Sequence, residues 1–310
     1  MMSALPDEPG GCAPADPKPR PPTFAVPAGA VDCHAHVFLD AHDFPFHLPR
    51  SYTPPPASLE AYQALHRTLG ISRGVLVQPS VYGEDNRAHA SALTALRKQG
   101  FDYKGVAVVG GDVTDAELDR LGALGFCGVR LNLLFKGGIA WSDVVNLASR
   151  LAERDWHLQC LIDVSTFPQL ERRLGSLPVP VVLDHLGHPS SDRGVADPSF
   201  QSLLRLLDSG NTWVKLSGAY RLTGQDHPPY TDVQPLAEAL VRTNPQRLVW
   251  GSDWPHPQIP VPMPNDGDLL DLLARWVPDQ ATRQAILVSN PEELYGFAPV
   301  GDGSGAMPDL

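Results

Sequence analysis

The sequence predicts a (β/α)8 barrel, and the prediction rests on the number, composition and spacing of its apolar runs. Eight apolar runs of strand length occur along 310 residues, of which 43% are apolar. Most runs are continuous stretches of Val, Leu and Ile, which is typical of parallel strands covered on both faces. Segments with helical spacing separate the runs, as a barrel of strand–helix repeats requires. The runs are Val31–Val37, Gly74–Gln78, Gly105–Val109, Gly128–Leu131, His157–Ile162, Val179–Leu183, Trp213–Leu216 and Leu248–Trp250.

Two of the intervening segments have clear helix boundaries. One begins with Asp197 and Pro198, an N-cap residue followed by a residue that suits the first helical position, and Gly210 can end it. The other begins at Ser58 and stops at Gly70. Apolar residues in both follow the spacing of a helix that packs one face on a sheet. They are Phe200, Leu203, Leu204 and Leu207 in the first segment and Leu59, Tyr62, Leu65 and Leu69 in the second.

Composition divides the chain into a barrel and two ends. Residues 1–29 are rich in Pro, Gly, Ala and Asp, which predicts a disordered or loosely packed arm. Residues 298–310 predict a flexible tail in the same way, and residues 30–297 form the single barrel domain. A doubly wound open sheet is the alternative fold. That fold usually carries a Gly-rich phosphate turn after its first strand, where this sequence has His-Ala-His.

The chain is acidic, with a formal net charge of −11 from 24 basic and 35 acidic residues. Binding to nucleic acid or to an anionic membrane needs a surplus of Lys and Arg, so neither partner is expected. The N-terminus has no signal-peptide pattern, and no apolar stretch approaches the length of a membrane span. The four cysteines form no Cys-x-x-Cys pair and are predicted to be reduced thiols. We therefore expect a cytoplasmic protein, whose oligomeric state the sequence leaves open.

Catalytic groups of a (β/α)8 barrel lie at the carboxyl ends of its strands, and the first run ends in two histidines. Residues i and i+2 of a strand share a face. This rule predicts that His34 and His36 point into the barrel mouth, and that Cys33 and Ala35 face the helices. Two imidazoles on one face can bind a metal or polarise a carbonyl. Two hydrogen-bonded core histidines would give the same pattern.

Two further strand ends add an imidazole and a carboxylate. The sixth run leads into His185, which is the natural third member of the cluster. The eighth run leads into Asp253, which lies beside the first strand in a closed barrel. An ionised Asp near imidazoles can act as a general base toward water or as a metal ligand. Each residue alone could be a turn or cap residue, so the prediction rests on the three strand ends together.

Cationic and hydroxyl side chains near other strand ends predict a site for an acidic substrate. Arg can hold a carboxylate through two parallel hydrogen bonds, although a salt bridge elsewhere is the alternative for each cation. Lys215 lies inside the seventh run and is predicted to be structural, with a metal-linked or Schiff-base lysine as alternatives. The predicted substrate-binding residues are Arg130, Arg221, Lys136, Tyr52 and Ser80.

Taken together, these motifs resemble the amidohydrolase superfamily. The matching pieces are VDCHAHVF, GVRLNLL, VVLDHLGHP, VKLSGAY, RLVWGSDWPHP and SNPEELYGF, spread over about residues 30–297. They look closest to a branch of lactone hydrolases that includes the 2-pyrone-4,6-dicarboxylate lactonases. The resemblance implies hydrolysis of a carboxylated lactone, either 2-pyrone-4,6-dicarboxylate or a similar muconolactone-type intermediate of aromatic catabolism. The expected partner is thus a small anionic lactone.

The resemblance also implies a role for each member of the cluster. Three histidines of that branch polarise the lactone carbonyl, and they match His34, His36 and His185. The aspartate that activates water matches Asp253. Many amidohydrolases bind one or two divalent metals, whereas this lactonase type can work without one, so no cofactor is expected. The alternative is one divalent ion, Zn or Mn, held by His34, His36 and Asp253.

The same resemblance assigns substrate carboxylates to Arg130 and Arg221, and it matches Tyr52 and Ser80 more loosely. Lys136 stands where the family often has Arg, a replacement that keeps the charge and loses the bidentate fork. Other functions on the same fold remain as alternatives. They are a metal-dependent sulfomuconolactone or sugar-acid lactonase and a zinc-dependent decarboxylase.

Overall fold

The computed structural model describes residues 10–132 and 141–300. Its strands are β1 (Val31–Ala35), β2 (Arg73–Val77), β3 (Tyr103–Ala107), β4 (Phe126–Asn132), β5 (His157–Leu161), β6 (Val181–Leu183), β7 (Thr212–Leu216) and β8 (Leu248–Trp250). They form one parallel sheet in chain order. The sheet closes beyond β8, where Asp253 N donates to His34 O at 2.7 Å and His36 N donates to Trp254 O at 2.8 Å. The predicted (β/α)8 barrel is confirmed.

Helices alternate with the strands and cover the outside of the sheet. They are α1 (Leu59–Leu69), α2 (Arg87–Lys98), α3 (Asp115–Ala123), α4 (Trp141–Ala152), α5 (Leu170–Leu174), α6 (Pro198–Asp208), α7 (Gln234–Thr243), α8 (Asp266–Trp276), α9 (Gln280–Gln284) and α10 (Asn290–Tyr295). Ser58 and Asp197 cap α1 and α6 as predicted, because each side chain accepts a backbone N–H of the first turn. Leu206, rather than the predicted Leu204, completes the buried face of α6. No helix within residues 10–132 and 141–300 is long and apolar enough to cross a membrane.

Apolar side chains fill the inside of the barrel at its amino end. Tyr295 and Phe297, at and just beyond the end of α10, pack against residues from the strands there. The interior is therefore a packed core rather than a pore. The members of this inner cluster are Val31, Cys33, Val75, Val77, Val106, Val182, Trp213, Val249, Leu294, Tyr295 and Phe297.

A β-bulge in β1 changes which side chains face inward. Between Asp32 and Ala35, β1 advances by three residues while β2 advances by two. Cys33 and His34 therefore both stand opposite the inward-facing Val75. The prediction that Cys33 faces the helices is wrong, because strict alternation does not hold across a bulge. The same bulge places an apolar thiol in the core and an imidazole in the barrel mouth from adjacent positions.

Residues 10–29 lie against the barrel, which differs from the loose arm that their composition predicts. Arg20 N donates to Asn265 Oδ1 at 2.9 Å, and Thr23 N donates to Asp271 Oδ1 at 2.7 Å. These acceptors lie at the N-cap and in the body of α8, 245 and 248 residues further along the chain. The segment is held by α8, a partner that its own composition does not reveal.

Two buried histidines outside the barrel mouth make the fold sensitive to acid. Burial lowers the pKa of His89 and of His157 to about 3, from 6.5. Each ring is neutral in the folded protein and takes a proton near pH 6.5 in the unfolded chain. The unfolded chain therefore binds more protons below pH 6.5, and stability falls as the pH drops from there toward 3.

We expect each of these two histidines to remove about 1.4 kcal/mol of unfolding free energy between pH 7.5 and pH 5.5. Urea unfolding of the wild type and of His89→Leu at both pH values measures this contribution. The variant should lose about 1.4 kcal/mol less than the wild type over the same interval. Equal losses in the two proteins would show that His89 does not contribute.

Candidate active site

A cavity of about 380 Å³ opens at the carboxyl ends of the strands. It brings imidazole, carboxylate, guanidinium and hydroxyl groups together. The predicted residues that line it are His36, Tyr52, Ser80, Arg130, His185, Arg221 and Asp253. His34 lies just beneath them and contacts Asp253. Lys136, the remaining predicted residue, lies outside the described residues.

Three imidazole rings surround the carboxylate of Asp253. His34 Nε2 and His36 Nε2 lie 3.6 and 3.7 Å from Asp253 Oδ1, and His185 Nε2 lies 3.8 Å from Oδ2. These distances are too long for hydrogen bonds. His34 Nε2 and Asp253 Oδ1 are buried and have no hydrogen-bond partner among the described residues. Buried polar atoms of this kind mark the position of a bound polar atom from water, substrate or a metal ion.

The backbone beside the cluster is held in a costly conformation. The φ angle is 50° at His185, 54° at Leu186, 62° at Asp253 and 59° at His256. Left-handed backbone at a residue other than glycine costs on the order of 1–3 kcal/mol and persists where the surroundings enforce it, often at functional sites. Here Asp253 N donates to His34 O and Asp253 O accepts from His256 N, so the turn after β8 is fixed on both sides.

Two of the imidazoles are oriented through their Nδ1 atoms. His36 Nδ1 lies 2.6 Å from Val77 O. Because a carbonyl oxygen only accepts, the hydrogen of this ring is on Nδ1, and Nε2 of the neutral ring presents a lone pair. His185 Nδ1 lies 2.9 Å from Ser217 Oγ. Burial lowers the pKa of both rings well below 6.5, so both are neutral at pH 7.

Asp253 is held as a carboxylate by donors on its Oδ2 atom. Tyr220 Oη donates to it at 2.6 Å, and Arg221 Nε donates at 2.7 Å. Burial alone would raise the pKa of Asp253, but Arg221 and the surrounding histidines together outweigh burial and hold that pKa well below its usual range. Behind Tyr220, His256 Nδ1 lies 2.8 Å from the phenol oxygen, and His256 Nε2 lies 3.0 Å from Asp266 Oδ1. Oδ1 of Asp253 is left for the cavity.

A buried polar layer lies beneath His34. Lys215 Nζ lies 2.8 Å from Gln159 Oε1, 3.1 Å from His34 Nδ1 and 3.5 Å from Asp184 Oδ1. Asp184 Oδ2 also accepts from Arg130 Nε at 3.2 Å. The lysine that the sequence predicted to be structural is thus fully buried and in contact with the histidine cluster. Arg130 reaches both this layer and the cavity.

Hydroxyl and guanidinium groups share the cavity wall. Tyr52 and Ser80 both line the cavity. Burial raises the pKa of Tyr52, so its phenol keeps its hydrogen at neutral pH. Arg130 and Arg221 line the same space. The four side chains can therefore offer N–H and O–H donors to an anionic ligand.

Several residues of the site were not predicted from the sequence. Gln159 and Asp184 lie within or directly after buried apolar strands. A polar side chain in a buried apolar run needs a buried hydrogen-bond partner. The presence of Gln159 and Asp184 in or directly after such runs could therefore have indicated that they belong to a polar cluster. Ser217 and Tyr220 follow β7 closely and could have been found as strand-end residues, as Arg221 was. Other cavity residues outside the prediction are Asn132, Leu161, His188, Pro257, Gln258 and Pro260.

Two groups of side chains have the spacing of a metal site. The ligand atoms of His34, His36 and Asp253 lie within 4.8 Å of one another, as do those of His34, Asp184 and His185. The first group is the set that the sequence predicted. Its nitrogen and oxygen donors suit Zn or Mn. His36 Nε2 and Asp253 Oδ1 fit a divalent cation as they stand, whereas His34 fits only if its Nε2 carries no hydrogen.

A second cavity of about 390 Å³ lies beside the first and shares Tyr52 and Gln258 with it. Residues 10–13 line this cavity, together with His256. The N-terminal segment therefore forms part of the surroundings of the site. The contacts that hold this segment against the barrel therefore also shape the wall of the second cavity.

Comparison with known proteins agrees with the motifs. The chain matches the Amidohydro_2 (amidohydrolase) family over residues 31–297. It is 37% identical to the 2-pyrone-4,6-dicarboxylate hydrolase of Comamonas testosteroni, over 89% of this chain and 93% of that protein. It is 36% identical to the 4-sulfomuconolactone hydrolase of Hydrogenophaga intermedia, over 91% of this chain and 93% of that protein.

Solved structures show the same relationship. The crystal structure of a probable 2-pyrone-4,6-dicarboxylic acid hydrolase from Acinetobacter baumannii, with citric acid bound, has a TM-score of 0.76 and 30% identity. The match covers 87% of this chain and 100% of that one. The resemblance that the motifs indicated is confirmed, and the chain belongs to the Amidohydro_2 family of amidohydrolases.

Proposed function

We propose that the protein hydrolyses a carboxylated lactone, either 2-pyrone-4,6-dicarboxylate or a similar muconolactone-type intermediate of aromatic catabolism. One observation carries the proposal. The ionised carboxylate of Asp253 faces three imidazole Nε2 atoms at 3.6 to 3.8 Å, beside a cavity that also contains two arginines. The names of the two relatives at 37% and 36% identity support the substrate class.

Asp253 acts as the general base in this proposal. A water molecule beside Asp253 Oδ1 gives it a proton while the water oxygen adds to the lactone carbonyl carbon. The tetrahedral intermediate then expels the ring oxygen, which takes the proton back from Asp253. The open-chain product carries a new hydroxyl and a new carboxyl group, and the carboxyl group releases one proton to solvent at neutral pH. Tyr220 and Arg221 bind Oδ2 and leave Oδ1 free for the water.

The oxyanion of the intermediate is stabilised by neutral donors. His36 and His185 are neutral at pH 7, because burial holds the pKa of each well below 6.5. His36 can only accept at Nε2, because its hydrogen is used at Val77 O. His34 and His185 are therefore the rings that can donate to the oxyanion, each when its hydrogen is on Nε2.

The acidic groups of the substrate bind to the cationic part of the cavity. Arg130 and Arg221 present guanidinium N–H groups there, and Tyr52 and Ser80 add hydroxyls. Charged donors of this kind favour an anionic ligand although the protein as a whole carries a net charge of −11. We include Lys136 as a further cation that binds the substrate, and this assignment rests on the sequence alone.

We also propose that the enzyme is cytoplasmic. We further propose that catalysis needs no metal cofactor. One Zn or Mn ion is the alternative, and His34, His36 and Asp253 would hold it. Such an ion supplies Lewis acidity toward the carbonyl or a lowered pKa of bound water. Groups outside that ligand set keep the same tasks in either case: Arg130 and Arg221 orient the acid groups, and Tyr220 fixes Oδ2 of Asp253.

The test is hydrolysis of 2-pyrone-4,6-dicarboxylate, followed as loss of ring absorbance. The protein is treated with a chelator, and its metal content is measured before the assay. 4-Sulfomuconolactone and a sugar-acid lactone are assayed in parallel, with and without added Zn or Mn. Turnover of the pyrone dicarboxylate by metal-free protein is the expected result.

Other outcomes separate the alternatives. Turnover of only one of the other lactones would move the substrate assignment to that compound. Activity that returns only with added metal would overturn catalysis without a cofactor. Release of carbon dioxide from an aromatic acid by a zinc-loaded protein that hydrolyses no lactone would replace the proposal with the decarboxylase.

Gly251, directly after β8, provides a test of how closely His34 must be placed. A β-carbon at Gly251 would lie 2.6 Å from His34 Cβ and 2.8 Å from His34 N, so the backbone of β1 would have to move. We expect Gly251→Ala to destabilise the fold by about 1–3 kcal/mol. We also expect it to lower kcat at least ~10-fold, because displacement by about 1 Å can cost 100-fold.

The matched control is Gly224→Ala, where the nearest atom to a new β-carbon is Asp232 Oδ2 at 3.9 Å. Urea unfolding gives the stability of both variants, and steady-state kinetics on the pyrone dicarboxylate give kcat. Wild-type kcat in Gly251→Ala would show that the position of His34 tolerates movement.

A further inference from the structure

We propose that Lys215 fixes the tautomer of His34, so that the ring carries its hydrogen on Nε2 and acts as a hydrogen-bond donor rather than a metal ligand. The inference concerns the site of the proposed lactonase and deepens that proposal. Its tests are made without substrate, so its failure and the failure of the lactonase proposal can be told apart.

The first argument is the number of donors on Lys215. The side chain is fully buried, and an ammonium group has three N–H donors. Three acceptors surround its nitrogen: Gln159 Oε1 at 2.8 Å, His34 Nδ1 at 3.1 Å and Asp184 Oδ1 at 3.5 Å. If His34 Nδ1 carried a hydrogen, one donor of a buried charge would face another donor and lose its partner. Such an unpaired donor is costly.

The second argument is that Asp184 does not need His34. Asp184 Oδ1 also lies near His34 Nδ1, at 3.2 Å, and could in principle accept a hydrogen from it. However, Gln159 Nε2 lies 2.8 and 3.1 Å from the two oxygens of Asp184, and Arg130 Nε lies 3.2 Å from Oδ2. The carboxylate is thus satisfied by other donors. Lys215 can be satisfied fully only if His34 Nδ1 accepts.

His34 of β1 and His36, directly after that strand, therefore have opposite tautomers. His36 keeps its hydrogen on Nδ1 for Val77 O and presents a lone pair at Nε2. His34 accepts at Nδ1 and presents N–H at Nε2, directed toward the unpartnered Oδ1 of Asp253 at 3.6 Å. The site consequently offers one acceptor and one donor from side chains two residues apart. The N–H at His34 Nε2 is placed to donate a hydrogen bond to the oxyanion, and the positive charge of Lys215 lies on the other side of the His34 ring.

The same tautomer weakens metal binding. A metal ligand must present a lone pair, so His34 can bind through Nε2 only after its hydrogen moves to Nδ1 and turns toward Asp184. That rearrangement deprives Lys215 of an acceptor. Lys215 is thus a positioning residue that favours the metal-free site over the metal centre formed by His34, His36 and Asp253.

Nitrogen NMR of the chelator-treated wild-type protein tests the tautomer directly. Histidine labelled with ¹⁵N gives distinct signals for protonated and unprotonated ring nitrogens, and the signals lost in His34→Asn identify that ring. We expect His34 to be protonated at Nε2 only and His36 at Nδ1 only. Protonation of His34 at Nδ1 would overturn the inference, whatever the protein hydrolyses.

Zinc titration of Lys215→Met supplies an independent readout. We expect at least ~10-fold tighter zinc binding than in the wild type, measured by competition with a chromophoric chelator, because Asp184 is then free to orient His34 as a ligand. Lys98→Met is the control, since Lys98 is exposed in the last turn of α2. Unchanged zinc affinity in folded Lys215→Met would contradict the inference. If that variant does not fold, the wild-type NMR result decides.

Discussion

Asp253→Asn is expected to lower kcat for lactone hydrolysis at least 100-fold while the barrel stays folded. Loss of a general base typically costs 100-fold to 10,000-fold, and 100-fold corresponds to about 2.7 kcal/mol in the barrier. An amide cannot take the proton of the attacking water. It nevertheless keeps the shape of the side chain and an oxygen that can accept from Tyr220 or Arg221. Steady-state kinetics on 2-pyrone-4,6-dicarboxylate and thermal unfolding give the two readouts.

The control for this variant is Asp208→Asn, at the exposed carboxyl end of α6. It removes the same charge far from the cavity and should leave kcat unchanged. If Asp253→Asn keeps more than a tenth of the wild-type rate, Asp253 is not the base. A large fall in melting temperature without loss of rate would assign Asp253 a structural role instead.

Arg130→Met is expected to raise KM for the dicarboxylated lactone by about 10–100-fold and to change kcat much less. A hydrogen bond to a charged group contributes about 1.5–3 kcal/mol, and its loss from both the bound and the transition state appears in KM. Arg130 also pairs with buried Asp184, so some loss of stability accompanies the change. Lys215 and Gln159 still contact Asp184 in the variant, which limits that loss.

Arg130→Lys and a lactone without a carboxylate serve as the matched comparisons. The lysine variant keeps the charge and loses the planar fork, so its KM should lie between those of the wild type and Arg130→Met. The uncharged lactone should show the same KM with all three proteins. Unchanged KM and kcat in Arg130→Met on the dicarboxylate would remove Arg130 from the substrate site.

Much of the site was predictable because parallel strands end at one edge. The His34 and His36 pair, His185 and Asp253 are far apart in the sequence, yet each lies at the carboxyl end of an apolar run. A closed barrel has only one place where such ends meet. The pattern of apolar runs was therefore sufficient to predict that these four side chains come together, as their distances now show.

The details that decide the chemistry had weaker signals. No residue pattern in the sequence indicates the bulge in β1, which inserts one residue. The prediction that Cys33 faces the helices was therefore wrong. Val77 fixes the tautomer of His36 through its carbonyl oxygen, which every residue has. The contact between Lys215 and His34 joins β7 to β1, which are not adjacent strands, and no local pattern in the sequence predicts such a pairing.

The closure between β8 and β1 has a consequence for the protein during its synthesis. Strand β1 is synthesised before β8. The hydrogen bond that Ser252 N donates to Asp32 Oδ1 joins residues 220 positions apart, so Asp253 follows β1 by about that length. At roughly 5–20 residues per second, a ribosome needs on the order of 10–40 seconds to add that length. Throughout this interval one edge of β1 has no neighbour and is open to pairing with other chains. The nascent chain therefore lacks Asp253 and the closing contact of the barrel until its last strand emerges, and we expect pairing at this edge to compete with folding until then.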